Sequence, residues 1–206
     1  MTVDFLITGP ENAALTIALA HGAGAPMDSQ FMEVFADGLA AHGHRVARFE
    51  FPYMVKRRLE GTKRPPDRAP VLRETWLSVI DALGGADGLV IGGKSMGGRI
   101  ASLVADAARV KGLVCLGYPF HPPGRPEKTR TEHLEMLGTP TLICQGTRDT
   151  LGNAQDVAGY TLSSAIGVHW LEDGDHGFKP RKASGLTEHD NVAQAVDAVH
   201  TFVVGL

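Results

Sequence analysis

The 206-residue chain predicts a three-layer α/β fold built on a mostly parallel sheet of about seven strands, formed as one domain over residues 1–206 with no separate cap. Three observations predict it. Short apolar runs rich in β-branched residues recur along the chain, and longer segments with helical spacing separate them. Runs such as GLVIGG and LICQG show no polar side, as expected of strands that helices cover on both faces. A hydrophobic content of 43% is enough for one sizeable core.

In chain order the candidate strands are VDFLIT, LTIALAHG, HRVARFEF, GLVIGG, VKGLVCLG, PTLICQG and IGVHWLE. Between them SQFMEVFADGLAAHG, PVLRETWLSVIDALGG, MGGRIASLVADAAR and a weaker AQDVAGYTLSSA read as helices. In the third, Ile100, Leu103, Val104 and Ala107 share one apolar face. A last helix, DNVAQAVDAVHTFVVG, carries an apolar stripe at Val192, Ala195, Val196, Val199 and Phe202, and Thr187 with Asp190 forms a capping pair before it. Two segments rich in proline and basic residues read as loops, 52–70 after the third strand and 118–131 after the fifth.

Composition excludes several classes. A formal net charge of -3 with 21% charged residues gives no global signal for nucleic acid or a membrane surface. Cys115 and Cys144 lie inside apolar runs, where a free thiol behaves as a small buried hydrophobe, so no disulfide framework is expected. The first twenty residues lack a basic leader region and are interrupted by Gly9-Pro10, so neither a secretory signal nor a membrane span is expected, and the cytoplasm is the natural compartment.

The segment GLVIGGKSMGG fits two incompatible patterns. Gly88, Gly93, Lys94 and Ser95 match the phosphate loop G-x-x-x-x-G-K-[ST], whereas Gly93, Ser95 and Gly97 match the G-x-S-x-G turn that presents a nucleophilic serine. A phosphate loop needs its four variable residues to curl around an anion. Here they are Leu89, Val90, Ile91 and Gly92, the body of a strand, and no later strand ends in a Walker-type aspartate. The serine turn needs a strand, one sharp turn with small neighbours, and a helix, and the sequence supplies all three.

A serine hydroxyl needs a histidine to take its proton and an acid to orient that histidine, in the chain order serine, acid, histidine. Asp149 follows the strand TLICQG, and His176 lies in the glycine-flanked loop after IGVHWLE. The other histidines sit inside a strand (His169), on the last helix (His189, His200) or beside a helix end (His42, His44). Asp173 and Asp175 are too close to His176 in the chain to reach back easily, and with Glu172 they read as a solvated acidic loop. The loop His21-Gly22-Ala23-Gly24-Ala25 lets backbone approach a substrate, so the N–H groups of Ala23 and Met96 are the candidate oxyanion donors. Lys94, next to the serine, is expected either to line the pocket or to extend to solvent.

With HGAGA, GGKSMGGR, GTRD and GDHGF in this order, the chain resembles the α/β-hydrolase superfamily over nearly its whole length. Within it the chain is similar to the small, capless, dienelactone-hydrolase-like branch that includes an NSL-complex subunit and a testis-expressed hydrolase-like protein. The resemblance implies Ser95 as nucleophile, where dienelactone hydrolase itself carries cysteine, with Asp149 as acid, His176 as base, and Ala23 and Met96 as oxyanion donors. It implies an ester or thioester hydrolase with no metal or organic cofactor.

Twelve of the twenty basic residues fall in 52–70, 118–131 and 179–182, segments that leave strand ends or adjoin His176. They predict a basic rim that draws a small, anionic ester or thioester substrate. The alternative is a non-catalytic module of the same fold whose basic face binds an acidic partner.

Overall fold

The computed structural model describes residues 3–206. Seven strands are formed: β1 (Phe5–Thr8), β2 (Thr16–Ala20), β3 (Arg45–Phe49), β4 (Leu89–Lys94), β5 (Gly112–Leu116), β6 (Thr141–Gly146) and β7 (Ile166–Leu171). They make one sheet in the order β1-β3-β2-β4-β5-β6-β7, antiparallel only where the edge strand β1 meets β3. All the other pairings are parallel. The helices are α1 (Gln30–Ala41), α2 (Pro52–Glu60), α3 (Ala69–Ala82), α4 (Met96–Ser102), α5 (Ala105–Ala108), α6 (Ala154–Ala158) and α7 (Glu188–Val204).

Side chains alternate across a strand, so each strand feeds two cores. Ile91, Leu113, Cys115 and Ile143 join Phe49, Trp76 of α3 and Ile100 of α4 on one face. Val90, Val114, Leu116 and Cys144 join Phe35 of α1 and Val196 and Val199 of α7 on the other. Burial on both faces explains why β4 and β5 have no polar side, and it raises the Cys144 thiol to about 12 and the Cys115 thiol higher still.

Three readings change. The first half of the 52–70 segment is helix α2, not loop: Pro52 opens it at a position that needs no N–H, and Gly61 closes it with φ 66°. MGGRIASLVADAAR is not one helix, because Val104 (φ -121°, ψ -14°) separates α4 from α5 and Ala107 ends up exposed. The break lets Asp106 of α5 accept from the N–H groups of Gly138 and Thr139 at 2.9 and 2.8 Å, a tertiary demand that helical periodicity does not register. The weak helix after β6 is only α6, opened by an Asn153/Asp156 capping box and closed at Gly159. The Thr187/Asp190 capping box of α7 is formed, and Val192, Ala195, Val196 and Val199 are buried while Phe202 is half-buried.

Candidate active site

The residues between Gly88 and Gly93 are buried strand, so no loop exists there to wrap a phosphate. The chain then turns so sharply that Ser95 has φ 51° and ψ -113°, a conformation that costs about 1–3 kcal/mol for a residue with a Cβ. Its surroundings hold it there. Ser95 N–H donates to the Leu116 carbonyl at 3.0 Å, and Arg99 N–H donates to the Ser95 carbonyl at 3.0 Å. A Cβ on Gly97 would stand 2.5 Å from the Ala20 carbonyl oxygen and 2.7 Å from that of His21, so only glycine lets α4 lie directly on the sheet backbone.

The structure brings Ser95, His176 and Asp149 into one row. Ser95 Oγ lies 2.8 Å from His176 Nε2, and His176 Nδ1 lies 2.7 Å from Asp149 Oδ2. An ionised carboxylate only accepts, so Nδ1 carries the proton and Nε2 is left to accept from the serine hydroxyl. Asp149 is fully buried, while 29% of the His176 side chain is exposed. Leu151 N–H donates to Asp149 Oδ1 at 2.8 Å, and Gln145 Nε2 donates to Oδ2 at 2.9 Å.

Gln145 was missed by sequence reasoning. Its Oε1 accepts from Tyr118 N–H at 2.7 Å and its Nε2 also reaches the Gly152 carbonyl at 2.9 Å, so one buried amide ties the loops after β5 and β6 to the carboxylate. The available signal was a lone polar residue inside the apolar run LICQG.

The loop that carries His176 is not a solvated acidic loop. Asp173 is buried and paired with Arg148 and Arg181, and Asp175 Oδ1 accepts from the N–H groups of Gly177 at 2.7 Å and Lys179 at 3.0 Å. Both aspartates thus shape the turn that presents the histidine. Only Glu172 keeps the solvated role.

Lys94 neither lines a pocket nor reaches bulk solvent. Its ammonium donates to the His176 carbonyl and sits 5.2 Å from the Phe31 ring centroid and 5.3 Å from that of Phe178. Burial lowers its pKa to about 8, against the attraction of Asp149 and Asp175. The last residue of β4 and the turn residue after it therefore hold both ends of the histidine, Lys94 at the backbone and Ser95 at the ring.

The His21–Ala25 loop passes beside the serine: a Cβ on Gly22 would lie 3.8 Å from Ser95 Cβ. Burial lowers the His21 pKa, and the neutral ring is used at both nitrogens, Nδ1 donating to the Gly22 carbonyl at 2.7 Å and Nε2 accepting from Phe51 N–H at 3.2 Å. Tyr53 Oη donates to the Ala23 carbonyl at 3.0 Å, and Arg57 Nη1 to the Gly24 carbonyl at 3.1 Å, so α2 braces this loop. Among the described residues the N–H groups of Ala23 and Met96 donate to no protein acceptor.

Of the twelve predicted rim cations, Arg58 is held by Glu50 and Asp28, Arg64 by Glu60 and Arg181 by Asp173. His44 and His200 bond to each other at 2.9 Å and His42 to Asp197 at 3.0 Å, apart from the Ser95 row.

The model of the alpha/beta hydrolase domain matches residues 13–204. The chain belongs to the α/β-hydrolase family. Among solved structures it is similar to an alpha-beta serine hydrolase homologue from Coxiella burnetii, at 19% identity and TM-score 0.71 over 99% of this chain and 91% of that one. A serine hydrolase without lid from Xanthomonas campestris matches at 19% identity and TM-score 0.70 over 98% and 88% of the two chains. Dienelactone hydrolase from Anabaena variabilis matches at 18% identity and TM-score 0.73 over 97% and 89%. At these identities the likeness is one of fold. Among the described residues of this α/β hydrolase no helix is long and apolar enough to cross a membrane.

Proposed function

We propose that this α/β hydrolase cleaves an ester or thioester of a small anionic substrate through an acyl-enzyme, with no metal or cofactor. The observation that carries the reading is the continuous hydrogen-bonded row from Ser95 Oγ through His176 to buried Asp149. Ser95 Oγ attacks the carbonyl carbon as His176 Nε2 takes its proton, and the N–H groups of Ala23 and Met96 receive the oxyanion. The intermediate collapses, the bond to the leaving oxygen or sulfur breaks, and that atom takes the proton from Nε2. Water, deprotonated by His176, then attacks the acyl-serine and releases the acid, and Oγ regains its proton. Asp149 stabilises the imidazolium in both halves.

A purely interacting module has no use for this row. A fluorophosphonate probe is expected to label the folded protein at Ser95, and Ser95→Ala is expected to abolish both labelling and hydrolysis of short p-nitrophenyl esters. Unlabelled folded protein would favour the binding module, and unchanged hydrolysis by Ser95→Ala would place the chemistry elsewhere.

A further inference from the structure

A cavity of about 670 Å³ opens beside α2, within the size range of small-molecule sites. Pro52, Val55, Lys56 and Leu59 line it at the i, i+3, i+4 and i+7 spacing of one helix face. Tyr53 and Arg57 lie on another face, where they hold the Ala23 and Gly24 carbonyls, so α2 separates the cavity from the Ser95 side of the loop. Val3 and Asp4 close the cavity from the β1 side and Thr75 closes it from α3.

Its wall is apolar and its polar floor is spent. Val3, Met27, Val55 and Leu59 face it, and Leu59 is 82% exposed, an apolar side chain left without protein to cover it. Buried Glu50 accepts from Arg58 Nε at 3.1 Å, from Arg58 Nη2 at 2.6 Å and from Met27 N–H at 3.3 Å, while Arg58 Nη1 donates to Asp28 at 3.0 Å. Thr75 Oγ1 donates to the Val71 carbonyl at 2.8 Å. A cavity with its inner polar groups already paired offers a ligand apolar contact.

The mouth adds positive charge. Lys56 is exposed and has no ion-pair partner among the described residues. It also lines a second cavity of about 280 Å³ that is bordered by Arg68, another cation outside those pairs. The acids beside that second cavity are engaged: Asp67 accepts from Tyr53 N–H at 2.8 Å, and Glu60 holds Arg64. Asp4, the acid at the larger cavity that is not ion-paired, belongs to the segment before β1 and not to α2.

We infer that the larger cavity binds an amphiphile with an aliphatic chain and an anionic head group, its tail along Val55 and Leu59 and its head at Lys56, where the two cavities meet. The site uses no residue of the Ser95 row and stands apart from the proposed function.

Calorimetric titration of hexanoate, octanoate and decanoate into the wild-type protein, below their micelle concentrations, tests it. Burial of the tail is expected to raise affinity about fourfold for each added methylene. Leu59→Glu is expected to weaken decanoate and decanol alike, by about tenfold or more, because it sets a charge against the tail. Lys56→Glu is expected to lower the ratio of decanoate to decanol affinity about tenfold, the effect of exchanging an exposed attraction for a repulsion. Decyl phosphate in place of decanoate identifies the head group by the tighter binding of the two. Absence of decanoate binding, affinity independent of chain length, or decanoate binding unaltered by Leu59→Glu overturns the site, and an unchanged ratio in Lys56→Glu overturns the place of the head. Both side chains are exposed, and Val55→Glu replaces Leu59→Glu should the latter melt early. The acids are not esters, so a protein that hydrolyses nothing is tested equally well.

Discussion

Two polar centres that flank the start of α4 are built in opposite ways. In the Ser95 row the side chains are spent, while the N–H groups of Ala23 and Met96 beside it stay free: His176 is held at both ring nitrogens and at its carbonyl, and Asp149 accepts from Gln145, Leu151 and His176. Further along α4, Arg99 Nε is buried with no partner. A saturated network fixes geometry in advance, as bond-making chemistry requires, whereas an unsaturated one has binding energy to give to a ligand.

The contrast breaks most readily at the acid. Asp149→Asn preserves shape but offers His176 Nδ1 an amide, and turnover is expected to fall about ten-thousand-fold with little change in fold, measured as kcat on a p-nitrophenyl ester beside a circular dichroism melt. A fall of less than tenfold would mean that the saturated row is only structural.

Lys94 comes next, because its charge is set inside that row. A lysine whose folded pKa is lowered opposes folding while it is charged, so the cost is full below pH 8 and fades as pH rises toward 10.5. From 10.5 to about 8 the shift corresponds to about 3 kcal/mol. Urea titrations of wild type and Lys94→Met are therefore expected to show wild type gaining about 3 kcal/mol on the variant between pH 7 and pH 10.5. A pH-independent difference would show that the ammonium is not enclosed. Turnover at pH 7 is expected to drop in the same variant, since the His176 carbonyl loses its anchor.

The smallest effect sharpens what saturation contributes to stability. Gln145→Leu leaves Tyr118 N–H and the Gly152 carbonyl unpaired in the interior, and a loss of about 2 kcal/mol in chemical unfolding is expected. Unaltered stability would show that the amide serves the carboxylate alone.

Much of this could be read from the chain. Strand positions follow from apolar runs that helices cover twice, and the elbow follows from glycines at Gly93 and Gly97. Asp149 and His176 were placed by their positions after β6 and β7, because strand ends of a parallel sheet converge on one rim. Most of what went unread has a common cause. The break before α5, the Asp173–Arg148 pair and the anchoring of Lys94 depend on partners far off in sequence, and neither spacing nor composition records a partner. Helix α2 was instead marked locally, by Pro52 and Gly61, under a run of basic residues that read as loop.

By itself the sequence determined the sheet, its covering helices and the order of serine, acid and histidine, because period and punctuation are local properties of the chain. Only the tertiary structure decided which donors are spent. Lys94 became an anchor because the His176 carbonyl, Phe31 and Phe178 fold around its ammonium, whereas Arg99 Nε was left buried with no partner. Hydrogen-bond satisfaction is a sum over neighbours, and neighbours exist only once the chain has folded.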